Sequence, residues 1–84
     1  MQYQVVIEKS AVKELSKIPK VDQKAIWLKI KSLESGDFLH DKALKGKHQG
    51  KYRKRSGNYR IVYFKENAVL LVTIIRVAHR KEVY

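Results

Sequence analysis

Three arginines, Arg53, Arg55 and Arg60, flank a Gly57-Asn58 pair, and their spacing invites a chemical reading. Gly followed by Asn suits a two-residue type II′ hairpin turn, whose first position requires positive φ. With that turn, Ser56 falls opposite Tyr59, Arg55 opposite Arg60, and Arg53 opposite Val62. Strand side chains alternate between faces, so the three guanidinium groups share one face while Tyr52, Lys54, Ile61 and Tyr63 take the other. Like charges directly opposite each other destabilise a sheet, so a structural role does not call for three arginines without a carboxylate. A phosphate group does, because planar guanidinium binds it in bidentate fashion. A second constellation occupies residues 79–84: His79-Arg80-Lys81-Glu82-Val83-Tyr84 brings an imidazole, a guanidinium, a carboxylate and a phenol together. A terminal segment ordinarily frays. Val83 and Tyr84 offer packing that would anchor this one, so from the residues alone tail and site are equally open.

These groups need elements to hold them. Residues 2–8 (QYQVVIE) are β-branched in their middle and predict a strand. Residues 10–18 carry Ala11, Leu15 and Ile18 at helical spacing, with Pro19 ending the helix. Asp22 is the expected N-cap of a second helix to about Ser35, with Ala25, Ile26, Leu28, Ile30 and Leu33 as an uneven apolar stripe, Trp27 beside it and Gly36 as the stop. Residues 37–50 predict a loop. Strands are expected over residues 51–56, 59–65 and 68–77. The order β-α-α-β-β-β predicts one α+β domain over residues 1–84, an antiparallel sheet with an N-terminal helical hairpin packed on one face.

Composition bounds the partners. The 84 residues suffice for one domain and, with 44% hydrophobic residues, for one compact core. Cysteine is absent, so no disulfide or thiolate metal site is expected. The N-terminus has no signal-peptide pattern, and the longest apolar run, residues 68–75, is too short to span a bilayer. A soluble, cytoplasmic protein without a membrane partner is the expectation. The charge, 19 Lys and Arg against 8 Asp and Glu, a net +11, favours a polyanion. Between Asp41 and Glu66 stand Lys42, Lys45, Lys47, Lys51, Arg53, Lys54, Arg55, Arg60 and Lys65 with no acid among them. A bare run of this kind is usually a solvated face; the hairpin register is what turns it toward phosphate. Asp37, His40, Asp41 and His48 match no metal-ligand spacing, and the lysines around them repel a cation, so neither metal nor cofactor is expected.

Four blocks together carry a resemblance: Leu44-Lys45-Gly46-Lys47, then residues 50–55 (GKYRKR), then residues 58–63 (NYRIVY), and finally residues 76–84 (RVAHRKEVY). With the helix start at Ala11–Leu15, the chain resembles the RelE group of bacterial and archaeal toxins over nearly its whole length. The resemblance implies an endoribonuclease that cuts mRNA in the ribosomal A site. It also implies a cognate antitoxin that wraps and inhibits the toxin, with operator DNA bound only through that complex. The family's basic hairpin residues and its basic-plus-tyrosine C-terminus map onto Arg53, Arg55 and Arg60, then Arg80 and Tyr84. Arg53 and Arg55 stand where the best-known pattern has lysines, and arginine keeps its proton above about pH 12, so neither is a ready general base.

Metal-free RNA cleavage by 2′-OH attack needs a base, cations for the developing phosphorane and an acid for the leaving 5′ oxygen. In this reading Arg60 and Arg80 bind the scissile phosphate, and Arg53 and Arg55 stabilise added charge and orient the leaving group. His79, with an intrinsic pKa near 6.5, and Tyr84 are the main candidate bases, with Glu82 a third that is more readily spent on a salt bridge; Tyr84 could instead stack on a base of the RNA. Lys45, Lys47, Lys51 and Lys54 are expected to contact RNA or ribosome. Trp27 and the apolar helix positions read as core, with contact to the antitoxin the lesser reading. Two other classes compete: a ParE-like toxin that inhibits DNA gyrase by binding, and an RNA-binding module without activity.

Overall fold

The computed structural model describes residues 2–46, 50–79 and Lys81. Strand β1 (Gln4–Ile7) leads into helices α1 (Lys9–Ser16) and α2 (Lys20–Glu34), followed by β2 (Lys42–Ala43), β3 (Lys51–Ser56), β4 (Tyr59–Glu66) and β5 (Leu71–His79). Pro19 sits at the start of α2 in an extended conformation (φ −53°, ψ 143°). It therefore starts the second helix at Lys20 as well as closing the first. Asp22, expected as the N-cap, falls inside the first turn and makes no capping hydrogen bond. There its charge still opposes the helix dipole favourably. At the far end Gly36 adopts φ 81°. Its N–H donates to the Leu33 carbonyl and that of Asp37 to Ser32, closing the helix in a Schellman motif.

The sheet order is β1-β5-β4-β3-β2. Strands β2 to β5 pair antiparallel with their neighbours, but β1 lies parallel to β5, in register Gln4↔Leu71 to Ile7↔Ile74. The α+β arrangement is as expected, whereas the sheet is mixed rather than wholly antiparallel. The reason is the extra strand β2, antiparallel to β3. It adds one reversal of chain direction between β1 and β5, and so inverts their relative sense. Two residues are too few for a strand signal in sequence. The apolar run at residues 68–70 is also not strand: Asn67–Val69 form a 3₁₀ turn closed by Leu70 in the left-handed region (φ 51°).

Both helices cover one sheet face. Ala11, Leu15 and Ile18 from the first, Ile26, Ile30 and Leu33 from the second, and Ile61, Tyr63, Val72, Ile74 and Val77 from the sheet form the core. Ile74 and Val77 are three residues apart, an odd interval that would put them on opposite faces of a regular strand. The ladder skips here: Val62 pairs with Arg76 and Tyr63 with Ile74. This bulge returns Val77 to the helix side. Just past the end of β1, Glu14 of α1 takes over the exposed edge of β5. Its Oε1 accepts the Val77 N–H at 2.9 Å, and its Oε2 accepts Arg76 Nη2 at 2.8 Å and Nε at 3.2 Å. Trp27 and Leu28, expected in or beside the core stripe, are instead exposed (47% and 71%), because only positions 26, 30 and 33 of α2 point at the sheet.

Candidate phosphate-binding face and relatives

The hairpin register follows the sequence expectation: Ser56↔Tyr59, Arg55↔Arg60 and Arg53↔Val62. Gly57 has φ 58°, and Asn58 is not in the positive region, as a type II′ turn requires. Arg53, Arg55 and Arg60 therefore project from the sheet face that carries no helix. Their closeness has an electrostatic signature. Burial, then Arg60, then Arg55 push the Arg53 guanidinium below its ordinary pKa. Two cations about 6 Å apart repel by ~0.7 kcal/mol even at the dielectric of water, and no carboxylate among the described residues offsets this. Among the described residues the ion pairs are Lys54–Asp41 and Arg76–Glu14, neither of which involves the three arginines. Arg60 Nε is buried and has no hydrogen-bond partner. A buried N–H donor left unmade costs about 1–3 kcal/mol, a cost that an anion seated on this face would remove.

β2 adds a cation that residue spacing alone does not assign to the site. Lys42 pairs directly with Arg53, so the two side chains leave the same face. Its only sequence signal is membership of the basic run. Lys51, two residues before Arg53 on β3, shares that face by alternation. Lys45 is exposed in the connection after β2, and the Leu44 N–H closes this connection onto the Lys51 carbonyl at 2.9 Å. Beside the cations lies a small apolar cluster of Val62 and Ala78, with Leu44 and Ile75 against it.

Two of the candidate residues are not with the arginines. Lys54 faces the helix side and is buried. Its Nζ sits 3.1 Å from Asp41 Oδ1, with the two side chains 6% and 4% exposed. Tyr63 donates its hydroxyl to Asp41 Oδ2 at 2.5 Å. Lys54 is thus not available to RNA; it is the counter-charge of Asp41, and the pair anchors the chain entering β2. His79 pairs with Tyr59 at the end of the sheet and meets its ring edge-on at 5.5 Å. It takes the side of Tyr59, which packs against the main core, while Ala78 lies opposite Arg60. His79 Nδ1 accepts the Lys81 N–H at 3.3 Å. Alternation therefore separates this imidazole from the arginine face. Lys47, Arg80 and Tyr84 lie outside the described residues, as does His48.

A five-stranded mixed sheet backed by a helical pair, with an arginine cluster on its open face that no carboxylate of the described residues neutralises, defines a small basic α+β domain. The family model for the ParE toxin of the type II toxin–antitoxin system parDE matches residues 5–84, and the chain belongs to this family, within the RelE/ParE superfamily. It is a type II toxin of that superfamily. The structure superposes on a chain of the toxin–antitoxin complex RelBE2 from Mycobacterium tuberculosis with a TM-score of 0.86 at 27% identity, covering 95% of this chain and 100% of the other. It matches the archaeal RelE–RelB complex from Pyrococcus horikoshii OT3 with a TM-score of 0.83 at 27% identity, covering 99% and 100%. The RelB–RelE complex from Methanococcus jannaschii gives 0.71 at 30% identity, covering 94% of each chain. No curated protein sequence matches significantly. No helix among the described residues is long and apolar enough to cross a membrane.

Proposed function

We propose that this toxin is a metal-independent endoribonuclease that cuts mRNA on the ribosome and is held inactive by a cognate antitoxin. The observation that carries the reading is the buried, unpartnered Nε of Arg60 beside Arg53 and Arg55, a cationic cluster that no carboxylate of the described residues neutralises. The relatives named above were solved as complexes with RelB antitoxins, which supports the partner. In the proposed step the ribose 2′ oxygen attacks the adjacent phosphorus as its proton leaves. The P–O5′ bond breaks, the leaving oxygen takes a proton from water, and a 2′,3′-cyclic phosphate and a 5′-hydroxyl result. Arg60 binds the scissile phosphate, while Arg53 and Arg55 stabilise the charge of the phosphorane. Lys42, Lys45 and Lys51 guide the flanking backbone. With His79 turned to the helix side and Lys54 committed to Asp41, the proton acceptor falls to Tyr84, the position given by the RelE resemblance. A face rich in cations and poor in bases leaves the chain dependent on the ribosome to orient the RNA, a proximity effect.

The test is cleavage of mRNA on programmed ribosomes by the Arg60→Ala, Tyr84→Phe and His79→Ala variants. The first two should lose at least about a hundredfold, the usual weight of a charge-stabilising or proton-transferring group. His79→Ala should stay close to wild type. Undiminished cleavage by Arg60→Ala and Tyr84→Phe together would sink the assignment. The match to the parDE family model favours one second reading, inhibition of DNA gyrase by binding. Inhibition of supercoiling by the wild-type chain, with no cleaved mRNA on ribosomes, would select it.

A further inference from the structure

The open face of the sheet carries one aromatic side chain that neither the core nor the arginine cluster uses. Phe64 lies on β4 four residues after Arg60, so alternation places both on this face. Its ring is 37% exposed. Tyr3, Phe38, Tyr52, Tyr59 and Tyr63 each meet another ring on the helix side; Phe64 meets none among the described residues. A single exposed apolar residue needs no explanation by itself, but the neighbours of this one form a pattern. Phe64 pairs with Lys51, Val62 with Arg53 and Arg60 with Arg55, so a row of cations on β3 runs beside Arg60, Val62 and Phe64 of β4. Successive members of each row are two residues, or about 6.6 Å, apart, a length that one extended nucleotide spans. Between Arg60 and Phe64 the floor is Val62, fully buried and packed with Ala78. On its other side Phe64 pairs with Thr73, too small to cover the ring. Glu66, two residues beyond Phe64 and exposed on the same face, ends the strip by repelling phosphate.

We infer that Phe64 is the platform on which one unpaired base of the RNA stacks, two nucleotides from the phosphate held by Arg60, while Lys51 carries the backbone beside it. Single strands are bound by this combination, cations that track the backbone next to aromatic rings that take the bases. The inference rests on the phosphate reading of the arginine face, not on cleavage, and it adds specificity to that reading. Guanidinium groups on phosphate are blind to sequence, whereas a stacked base is weighed by its π surface. A purine offers more of that surface than a pyrimidine. The site therefore prefers RNA with a purine two nucleotides to one side of the phosphate on Arg60. The preference is modest, because a ring face reads size and makes no hydrogen bond to the base edge.

The experiment measures binding of short, fluorescently labelled 2′-O-methyl strands to the full chain at low salt. One strand is all adenosine, one all uridine, and one is abasic throughout; 2′-O-methylation removes the nucleophile, so none is cut. The wild-type chain should bind adenosine best and the abasic strand least. Phe64→Ala should weaken the adenosine strand about tenfold, the weight of one stacked base, lose the preference for adenosine over uridine, and leave the abasic strand unchanged. Phe64→Tyr should restore both affinity and preference. Phe64→Leu keeps the apolar bulk without a π face; it should lose the preference too, and it serves should the alanine variant fail to fold. The slope of log affinity against log salt should hold its wild-type value in every Phe64 variant, whereas Lys51→Gln lowers it by about 0.7. Undiminished adenosine binding by Phe64→Ala, which would give the ring to a protein partner instead, would overturn the inference. So would an equal loss on the abasic strand, or no binding of the adenosine strand by the wild-type chain. Because binding needs no cleavage, an inactive chain on ribosomes would remove the enzymatic reading and leave this result standing.

Discussion

Asp41→Asn should destabilise this protein more than any exposed substitution, because Asp41 is the counter-charge of a buried ammonium. Lys54 Nζ lies 3.1 Å from Asp41 Oδ1, with the side chains 6% and 4% exposed. Asparagine keeps the shape and removes the charge, leaving Lys54 desolvated without a partner. Breaking one half of a buried pair costs about 3–5 kcal/mol. At ~0.05–0.15 kcal/mol per residue, a domain of this length holds about 4–13 kcal/mol in all, so the loss is a large fraction of the total. At roughly 4–8 °C per kcal/mol the melting temperature should fall by at least about 12 °C. The double variant Asp41→Asn with Lys54→Met replaces both charges at similar volume and should recover most of the loss, leaving a coupling of about 2–3 kcal/mol. Urea unfolding followed by Trp27 emission and far-ultraviolet circular dichroism measures all four proteins. A cost below about 1 kcal/mol for Asp41→Asn, or strictly additive single variants, would refute the view that this pair is a buried anchor.

The same cluster sets an alkaline limit. Burial first, then the hydrogen bond to Asp41 and its charge, raise the pKa of Tyr63 well above the ordinary 10.0. The unfolded chain therefore ionises at this residue before the folded one does. Its contribution is complete below about pH 10 and is lost as pH rises beyond it, by up to ~1.4 kcal/mol per pH unit; urea midpoints across that range should flatten in Tyr63→Phe. On the open face the sign reverses. Arg55→Ala removes like-charge repulsion of about 0.7 kcal/mol and should hold or slightly raise the melting temperature. It should also lower the slope of log affinity for single-stranded RNA against log salt by about 0.7 for each phosphate that Arg55 neutralises.

The register of the arginine hairpin was legible in the sequence because it depends on local chemistry. Gly57-Asn58 fixes the turn, the turn fixes which residues oppose, and alternation does the rest. Pro19 and Gly36 mark helix boundaries for the same reason: each restricts its own backbone. Where a residue can satisfy two local rules, sequence falters. Asp22 is a fair N-cap by type, but Pro19 had already set the start of the helix. Trp27 and Leu28 are apolar, yet only positions 26, 30 and 33 of α2 meet the sheet.

Residue types and near-neighbour spacing thus determined the charge, the hairpin, the helical pair and the face on which three arginines gather. Tertiary structure decided what depends on contacts between distant parts of the chain. It made the sheet mixed, since a two-residue strand adds a reversal that only pairing with β3 stabilises. It turned Lys54 from a prospective RNA ligand into the buried partner of Asp41, and brought Lys42 to the side of Arg53. A bulge at the Ile75–Arg76 step, opposite Val62, set the facing of the β5 end, and with it His79. A basic side chain is free for phosphate or spent on a carboxylate according to what the fold places within about 4 Å of it. For the arginines no such carboxylate arrives among the described residues; for Lys54 one does.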